Sequence, residues 1–390
     1  MADFTEITSE SWFSRIGGAI KGVLFGLVLV VVAVVVLFWN EGRAVNRAKA
    51  LKEGAHLVIS VDAAKVDAAN EGKLVHLTGP ATTDETVADP VFGVSSPALM
   101  LKRQAEMFQW KERKQEKTEK NLGGSTTTQT TYNYEKVWSE TLVQSSGFAH
   151  REGHENPTAM PYASQTQTAG KITVGAFTLS ASLAGKINNF TPLPLVSTDK
   201  IPLPLRGKCQ SSDGKFYLGA NPAAPQIGDQ RIAFAVVQPG PVSLVARQIG
   251  STFEPYRTRN GGQLELLQVG TFTADEMFAH AREQNSLLTW GLRLGGWLGL
   301  LIGFTLIFKP LSVLADIVPF IGSLVGMGTG LLALLLATAI ALVVIAIAWI
   351  IFRPLLGILL LAAAIAIPVA LLKKRKSASP VVGTEPVKPA

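Results

Sequence analysis

Apolar and polar positions are distributed unevenly along this chain. Gly22 to Trp39 is a run of 18 residues without a charge, dense in Val and Leu. At about 1.5 Å rise per residue it nearly crosses a hydrocarbon core of roughly 30 Å, and one more turn from Ile16–Lys21 completes the crossing. Residues 16–39 are therefore expected to form a first transmembrane helix behind a cytoplasmic segment, 1–15. A cleaved signal peptide is the competing reading. Its head should be basic, yet Asp3, Glu6 and Glu10 sit there, and no small-x-small cleavage site lies beside Trp39.

Residues 290–308 form a second apolar run, in which Arg293 is expected to snorkel to the interface. Ile317 to Phe352 then runs 36 residues without a charge. One helix of that length would be about 54 Å long, far beyond a single crossing. Pro319 and Gly322 break its first part, so 309–323 reads as an interfacial segment and 324–352 as the third span, with room left for a second crossing. Arg353-Pro354 punctuates a turn, 354–372 returns as a fourth span, and 373–390 is a basic tail. Lys373, Lys374, Arg375 and Lys376 stop that helix and mark its side as cytoplasmic. Arg43, Arg47, Lys49 and Lys52 beyond the first span argue the other way, and an odd number of spans would resolve the conflict.

Residues 40–289 switch to short apolar runs between turn signals, the pattern of strands. Ala98 to Lys120 reads as one long strand. Asn121-Leu122-Gly123-Gly124 is a turn, and Thr126–Trp138 returns, giving a long hairpin with a charged, solvated tip. The Lys and Glu content of 101–120 keeps a helix as the rival. A proline tract joins the halves 55–145 and 170–272. Lys73–Ala81 (KLVHLTGPA) and Lys215–Ala223 (KFYLGANPA) lie 142 residues apart, and Arg103 and Arg247 lie 144 apart in similar surroundings. That order suggests a duplicated β-unit. Thr273-Ala274-Asp275-Glu276 is a capping box opening a helix over 274–289.

The expected fold class is thus integral membrane α+β: four transmembrane helices and a large β-rich extramembrane domain, with two duplicated β-units as a further reading. Composition agrees, since only 17% of the 390 residues are charged against about 25% in soluble domains. The net charge of +7 comes partly from the basic tail, a topology and anionic-lipid signal rather than a nucleic-acid surface. Cys209 is the one cysteine, which excludes an internal disulfide and a cysteine-rich metal site.

The helix faces carry a sharper pattern. Gly18, Gly22 and Gly26 recur at every fourth position, as do Gly291, Gly295, Gly299 and Gly303, and then Gly322, Gly326 and Gly330. Such spacing places small residues on one helix face, where another helix, in the same chain or a second copy, can approach closely. Candidate chemistry is sparse. His150 and His154 are four apart with Glu152 and Glu155 near, a zinc-like spacing on a helix, but Gly153 and Asn156-Pro157 favour a loop. No phosphate loop, dinucleotide fingerprint or nucleophile elbow occurs. No catalytic, cofactor-binding or metal residue is assigned and no enzyme is expected. The spans lack Asp, Glu, His and Lys near their middles, which disfavours a transporter. Thr305, Thr329 and Thr338 are expected to bond to their own helices.

Five stretches together carry a resemblance: Phe38-Trp39-Asn40-Glu41-Gly42-Arg43-Ala44-Val45, Glu106-Met107-Phe108-Gln109-Trp110, Gly153-His154-Glu155-Asn156-Pro157-Thr158-Ala159-Met160, Thr289-Trp290-Gly291-Leu292-Arg293 and Arg353-Pro354-Leu355. They resemble, in order, the LUMA family of transmembrane protein 43 and its relatives. The resemblance implies four spans, both termini cytoplasmic, a luminal or external domain, and a scaffold role with self-association; eukaryotic members resemble organisers of the inner nuclear membrane that associate with emerin and lamins. Channel behaviour is the alternative the resemblance also carries. The basic, cysteine-poor chain with its short Pro-Lys tail reads as bacterial. That predicts an inner membrane with a periplasmic domain, or the endoplasmic reticulum and inner nuclear membrane in a eukaryote. Expected partners are the lipid bilayer, other copies of the chain and other membrane proteins, and no nucleic acid.

Overall fold

The structure, a computed structural model, describes residues 4–195 and 199–354. In chain order its main elements are β1 (Phe4–Glu10), α1 (Trp12–Leu57), β2 (Leu74–Thr82), β3 (Met100–Lys120), β4 (Thr126–Ser139), β5 (Lys215–Leu218), β6 (Gln230–Val237), β7 (Gly240–Ile249), β8 (Leu266–Val269), α2 (Ala274–Ala315) and α3 (Pro319–Phe352). They divide into two compact units. Among the described residues, a β-rich unit takes in 4–15, 48–284 and 316–319, and a helical unit takes in 16–47, 285–315 and 320–354.

In the β-rich unit, β3 shows why its sequence makes a strand and not a helix. Leu101, Arg103, Ala105, Met107 and Gln109 are buried, and each residue between them is only partly covered. That is the period of two a pleated strand requires. Beyond Trp110 the strand is mostly exposed and is held by its ladder with β4, which pairs without interruption from Met107↔Ser139 to Lys120↔Thr126. The β-branched threonines of β4 suit that half-exposed surface. β1 adds to the other edge of β4, with Phe4 opposite Tyr132 and Glu10 opposite Thr126. Residues 4–10, expected as part of a cytoplasmic leader, are therefore a strand of this sheet.

Among the described residues the first sheet runs β1-β4-β3-β6-β5 before an edge strand at Cys209–Ser212, and the second centres on the pair β2-β7, with β8 on β7. The chain passes between the sheets at Gln238-Pro239, where β6 ends and β7 begins. One core draws on both sheets, with Leu101, Phe234 and Val236 from the first and Val75, Leu77 and Leu244 from the second. Phe92, Phe177 and Phe253 are its largest fully buried side chains.

The duplication does not hold. Lys73–Ala81 supplies β2, a nine-residue strand paired with β7, whereas Lys215–Ala223 supplies the four-residue β5, paired with β6, and then a turn. Arg103 lies on β3 in the first sheet and Arg247 on β7 in the second. An apolar run ending in a Gly or Pro turn recurs in any sheet, and that shared local chemistry produced the likeness.

α1 does not stop at Trp39. Helix-forming residues Ala44-Val45-Asn46-Arg47-Ala48-Lys49-Ala50-Leu51-Lys52-Glu53 carry it to Leu57. Its last turns belong to the β-rich unit, where Ala50 and Leu51 share a small core with Met277, Phe278 and Ala281 of α2 and with Leu74, Val245 and Leu264. The capping box forms as expected: the Thr273 N–H donates to Glu276 Oε2 (2.7 Å), and the Glu276 N–H donates to Thr273 Oγ1 (3.3 Å).

In the helical unit, α1, α2 and α3 are the three helices among the described residues long and apolar enough to cross a membrane. α2 continues through Pro310 to Ala315, and Pro319 opens α3 instead of breaking a helix, a position where its missing N–H costs nothing. The interfacial segment expected over 309–323 thus reduces to a link at Asp316–Val318. Residues 355–372 of the expected fourth span lie outside the described residues, as do Lys373, Lys374, Arg375 and Lys376. Thr305, Thr329 and Thr338 each donate to a carbonyl of their own helix, at 2.8, 3.1 and 2.8 Å.

Candidate functional site: a buried polar cluster on three helices

Asn40-Glu41-Gly42-Arg43 follow the uncharged run on α1, and Asn285, Thr289 and Arg293 recur at every fourth position on α2. The i, i+4 spacing places those three on one face. Asn40 and Glu41 are fully buried. Arg293 donates to both Glu41 oxygens, from Nε at 2.6 Å and from Nη2 at 2.9 Å, the two-pronged geometry that makes guanidinium–carboxylate pairs strong. Trp349 of α3 adds its Nε1–H to Glu41 at 2.8 Å. The Arg293 guanidinium also lies over the Trp290 ring, 4.6 Å from its centroid, a cation–π contact.

Arg43 extends the network by donating to Asn285 Oδ1 and Thr289 Oγ1, each at 3.0 Å, and to Asn40 Oδ1 at 3.2 Å. Asn40 Nδ2 donates to the Thr289 carbonyl (3.0 Å) and Asn285 Nδ2 to the Ala44 carbonyl (3.1 Å). Gly42 is required here, because a Cβ would stand 2.8 Å from the Phe352 ring. Arg293, expected to snorkel, is met within the protein by a carboxylate on the neighbouring helix. Both Glu41 oxygens are engaged, so the cluster ties three helices together instead of presenting a free base or nucleophile.

The glycine positions separate into two groups. A Cβ on Gly26 would meet the Gly303 carbonyl oxygen at 2.7 Å, and one on Gly303 would meet Val30 Cγ2 at 2.7 Å. Gly299 faces Ala33 at 3.2 Å, while Gly22 and Gly326 have only loose neighbours at 3.9 and 3.7 Å. Gly322 is buried. A Cβ on Gly18, Gly291, Gly295 or Gly330 would have no described neighbour within 4 Å. An ideal helix advances 100° per residue, so a strict spacing of four drifts about 40° per step, and four glycines in series cannot all face one neighbour. Gly296, outside the series, takes the inward place, where a Cβ would lie 2.6 Å from Leu37. The sequence reading placed a third span at 324–352 but did not single out Ala337 and Ala341 of α3, which join the helix core beside Ala33, Leu37 and Leu300.

Two further stretches meet in the β-rich unit. Asn156 Oδ1 accepts from the Trp110 N–H (2.7 Å), and its Nδ2 donates to the Trp110 carbonyl (2.8 Å). His154 stacks on Tyr134 with ring centroids 3.9 Å apart, and His150 stacks on Phe4 at 4.3 Å. The two imidazoles are thus held in a loop among aromatic rings. Among the described residues, no three of His, Cys, Asp and Glu converge as metal ligands. Burial, and then the hydrogen bond its hydroxyl gives Glu112 at 2.6 Å, push the Tyr134 phenol up to about 12. The hairpin tip is exposed over most of 111–120, as expected, but its end is also tied down. Asp316, almost fully buried, pairs with Lys120 at 2.6 Å and with Arg15, and the Gly123 N–H donates to the Ile317 carbonyl at 3.0 Å. An aspartate closing an apolar helix gave no signal of those partners. Cys209 is buried, and burial pushes its thiol up to about 11.

Apolar helices able to span a bilayer, cross-linked by a buried ion pair, together with two sheets around a shared core, define an integral membrane protein with a large β-rich domain. The family described as Transmembrane protein 43 matches over residues 107–354. Transmembrane protein 43 of Rattus norvegicus is 36% identical over 374 residues, 92% of each chain. The Homo sapiens protein of that name is 35% identical over 364 residues, 90% of each chain. The Drosophila melanogaster homolog is 33% identical over 357 residues, 87% of this chain and 91% of that one. This chain belongs to the transmembrane protein 43 family. No solved structure matches it.

Proposed function

We propose that the protein is a non-catalytic membrane scaffold that self-associates through its helices and offers its β-rich domain to other membrane proteins. The observation that carries this reading is the saturation of the buried cluster. Glu41, the group best placed to act as a base, has both oxygens bound by Arg293 and Trp349, which suits a fixed framework. Gly18, Gly291 and Gly295, which have no neighbour within 4 Å among the described residues, support self-association, since bare backbone is the surface on which apolar helices pair in lipid. In a eukaryotic cell the role would be organisation of the endoplasmic reticulum or nuclear envelope, and in a bacterium organisation of the inner membrane.

Mass measurement of the full chain in mild detergent tests the reading. The expected result is a multiple of the chain mass that falls to the single chain when Gly291 and Gly295 are both replaced by leucine. A strict monomer before substitution would refute self-association. Reproducible currents from the protein in liposomes would favour conduction instead.

A further inference from the structure

A cavity of about 720 Å³ opens in the helical unit along α1 and α3. Val34, Phe38, Gly42 and Asn46 line it at four-residue spacing on α1, with Arg43 beside them and Phe352 opposite. The twelve helical steps from Val34 to Asn46 make it about 18 Å long, the scale of a fatty acyl chain. Its polarity is graded. The walls from Val34 to Trp39 belong to the uncharged run, and Arg43 and Asn46 stand together where that run has ended. This is the order of a phospholipid lying along a membrane helix, hydrocarbon first and head group at the interface.

Charge selects an anionic head. The partners of Arg43, namely Asn40, Asn285 and Thr289, are all neutral. The Glu41 carboxylate is already held by Arg293 and lies within Coulombic reach of Arg353 as well. Three guanidinium groups therefore share one carboxylate at this end of the cavity. A phosphate would redress that excess and add a charge-assisted hydrogen bond.

We propose that this cavity binds one acyl chain of an anionic phospholipid whose phosphate accepts from Arg43. The full chain would be purified in mild detergent, offered equal amounts of phosphatidylglycerol and phosphatidylcholine, and examined by native mass spectrometry after detergent washing. One phosphatidylglycerol per chain is expected to be retained, about fivefold over phosphatidylcholine, from one cation acting on the head group. Inorganic phosphate added to the wash is expected not to displace it; displacement would mean a free-phosphate site and overturn the proposal. Arg43→Gln keeps an amide for its neighbours and should bring the two lipids to parity, while persistence of the preference would overturn the assignment. Val35→Trp fills the cavity without touching a hydrogen bond and should abolish retention of both lipids. It carries the test if circular dichroism shows that Arg43→Gln does not fold. Retention by Val35→Trp, equal retention of both lipids by the unaltered chain, or a fall in oligomer mass in Val35→Trp would each overturn the proposal, the last by assigning the groove to a second copy.

Discussion

Replacing glycines one at a time by alanine tests the helix packing most directly, because the structure divides chemically identical substitutions into opposite groups. At Gly26 the added methyl would sit 2.7 Å from the Gly303 carbonyl oxygen, at Gly303 it would sit 2.7 Å from Val30 and 3.0 Å from the Gly26 carbonyl oxygen, and at Gly296 it would sit 2.6 Å from Leu37, which is fully buried. Backbone cannot rotate away as a side-chain tip can, so α1 and α2 must separate. Overpacking of this kind costs about 1–3 kcal/mol. At Gly18, Gly291 and Gly295 no described atom of the same chain stands in the way, and alanine adds up to about 1 kcal/mol of helix propensity. That propensity gain is common to both groups, so they should differ by the overpacking cost, roughly 1–3 kcal/mol. Reversible unfolding of the purified variants in mixed micelles, followed by far-ultraviolet circular dichroism, measures the difference. If Gly26→Ala and Gly303→Ala unfold at the same midpoint as Gly291→Ala and Gly295→Ala, the close contact of α1 with α2 is wrong.

Three further outcomes follow from other groups. Arg293→Met leaves the fully buried Glu41 charge without its main partner and should cost about 3–5 kcal/mol; adding Glu41→Gln should recover most of that loss, and a double-mutant cycle that shows simple additivity would contradict the pair. Cys209, with its thiol raised from 9 to about 11, should carry about 100-fold less thiolate at pH 8 than an ordinary cysteine, so iodoacetamide should label it only after unfolding; rapid labelling of the native protein would contradict its burial. Tyr134 has a folded-state value of about 12 against 10 for the free phenol. A raised value means its contribution is complete below pH 10 and is lost as pH rises toward 12, a fall on the order of 2 kcal/mol. Melting curves from pH 9 to 12 should show that fall and Tyr134→Phe should lack it.

What the sequence disclosed was what neighbouring residues determine together. The double glycine at 123–124 and the threonines after it were enough for the hairpin, and Thr273 with Glu276 was enough for a helix start. Pairings across the chain were not legible. Glu41 and Arg293 are 252 residues apart, and each viewed alone looks like an interfacial charge beside an apolar run. The glycine repeats announced close packing, but strict spacing hides the drift that turns Gly291 and Gly295 away and brings Gly296 in. β1 was obscured for another reason: seven residues beside a strongly apolar helix read as its leader, and only the free edge of β4 makes them a strand.

Where α1 ends and α2 begins, the two helices touch: a methyl on Gly54 would fall within 2.9 Å of the Phe278 ring. The chain departs at Leu57 and rejoins at Ala274, so everything in between is a detour that returns to its starting point. Entry and exit side by side are the arrangement of an inserted module. A short flexible bridge from the end of one helix to the start of the other should satisfy the same closure. The excursion is not wholly self-contained, because β1 and Asp316 reach into its long hairpin from outside, so an exchange for another fold must also release those two attachments.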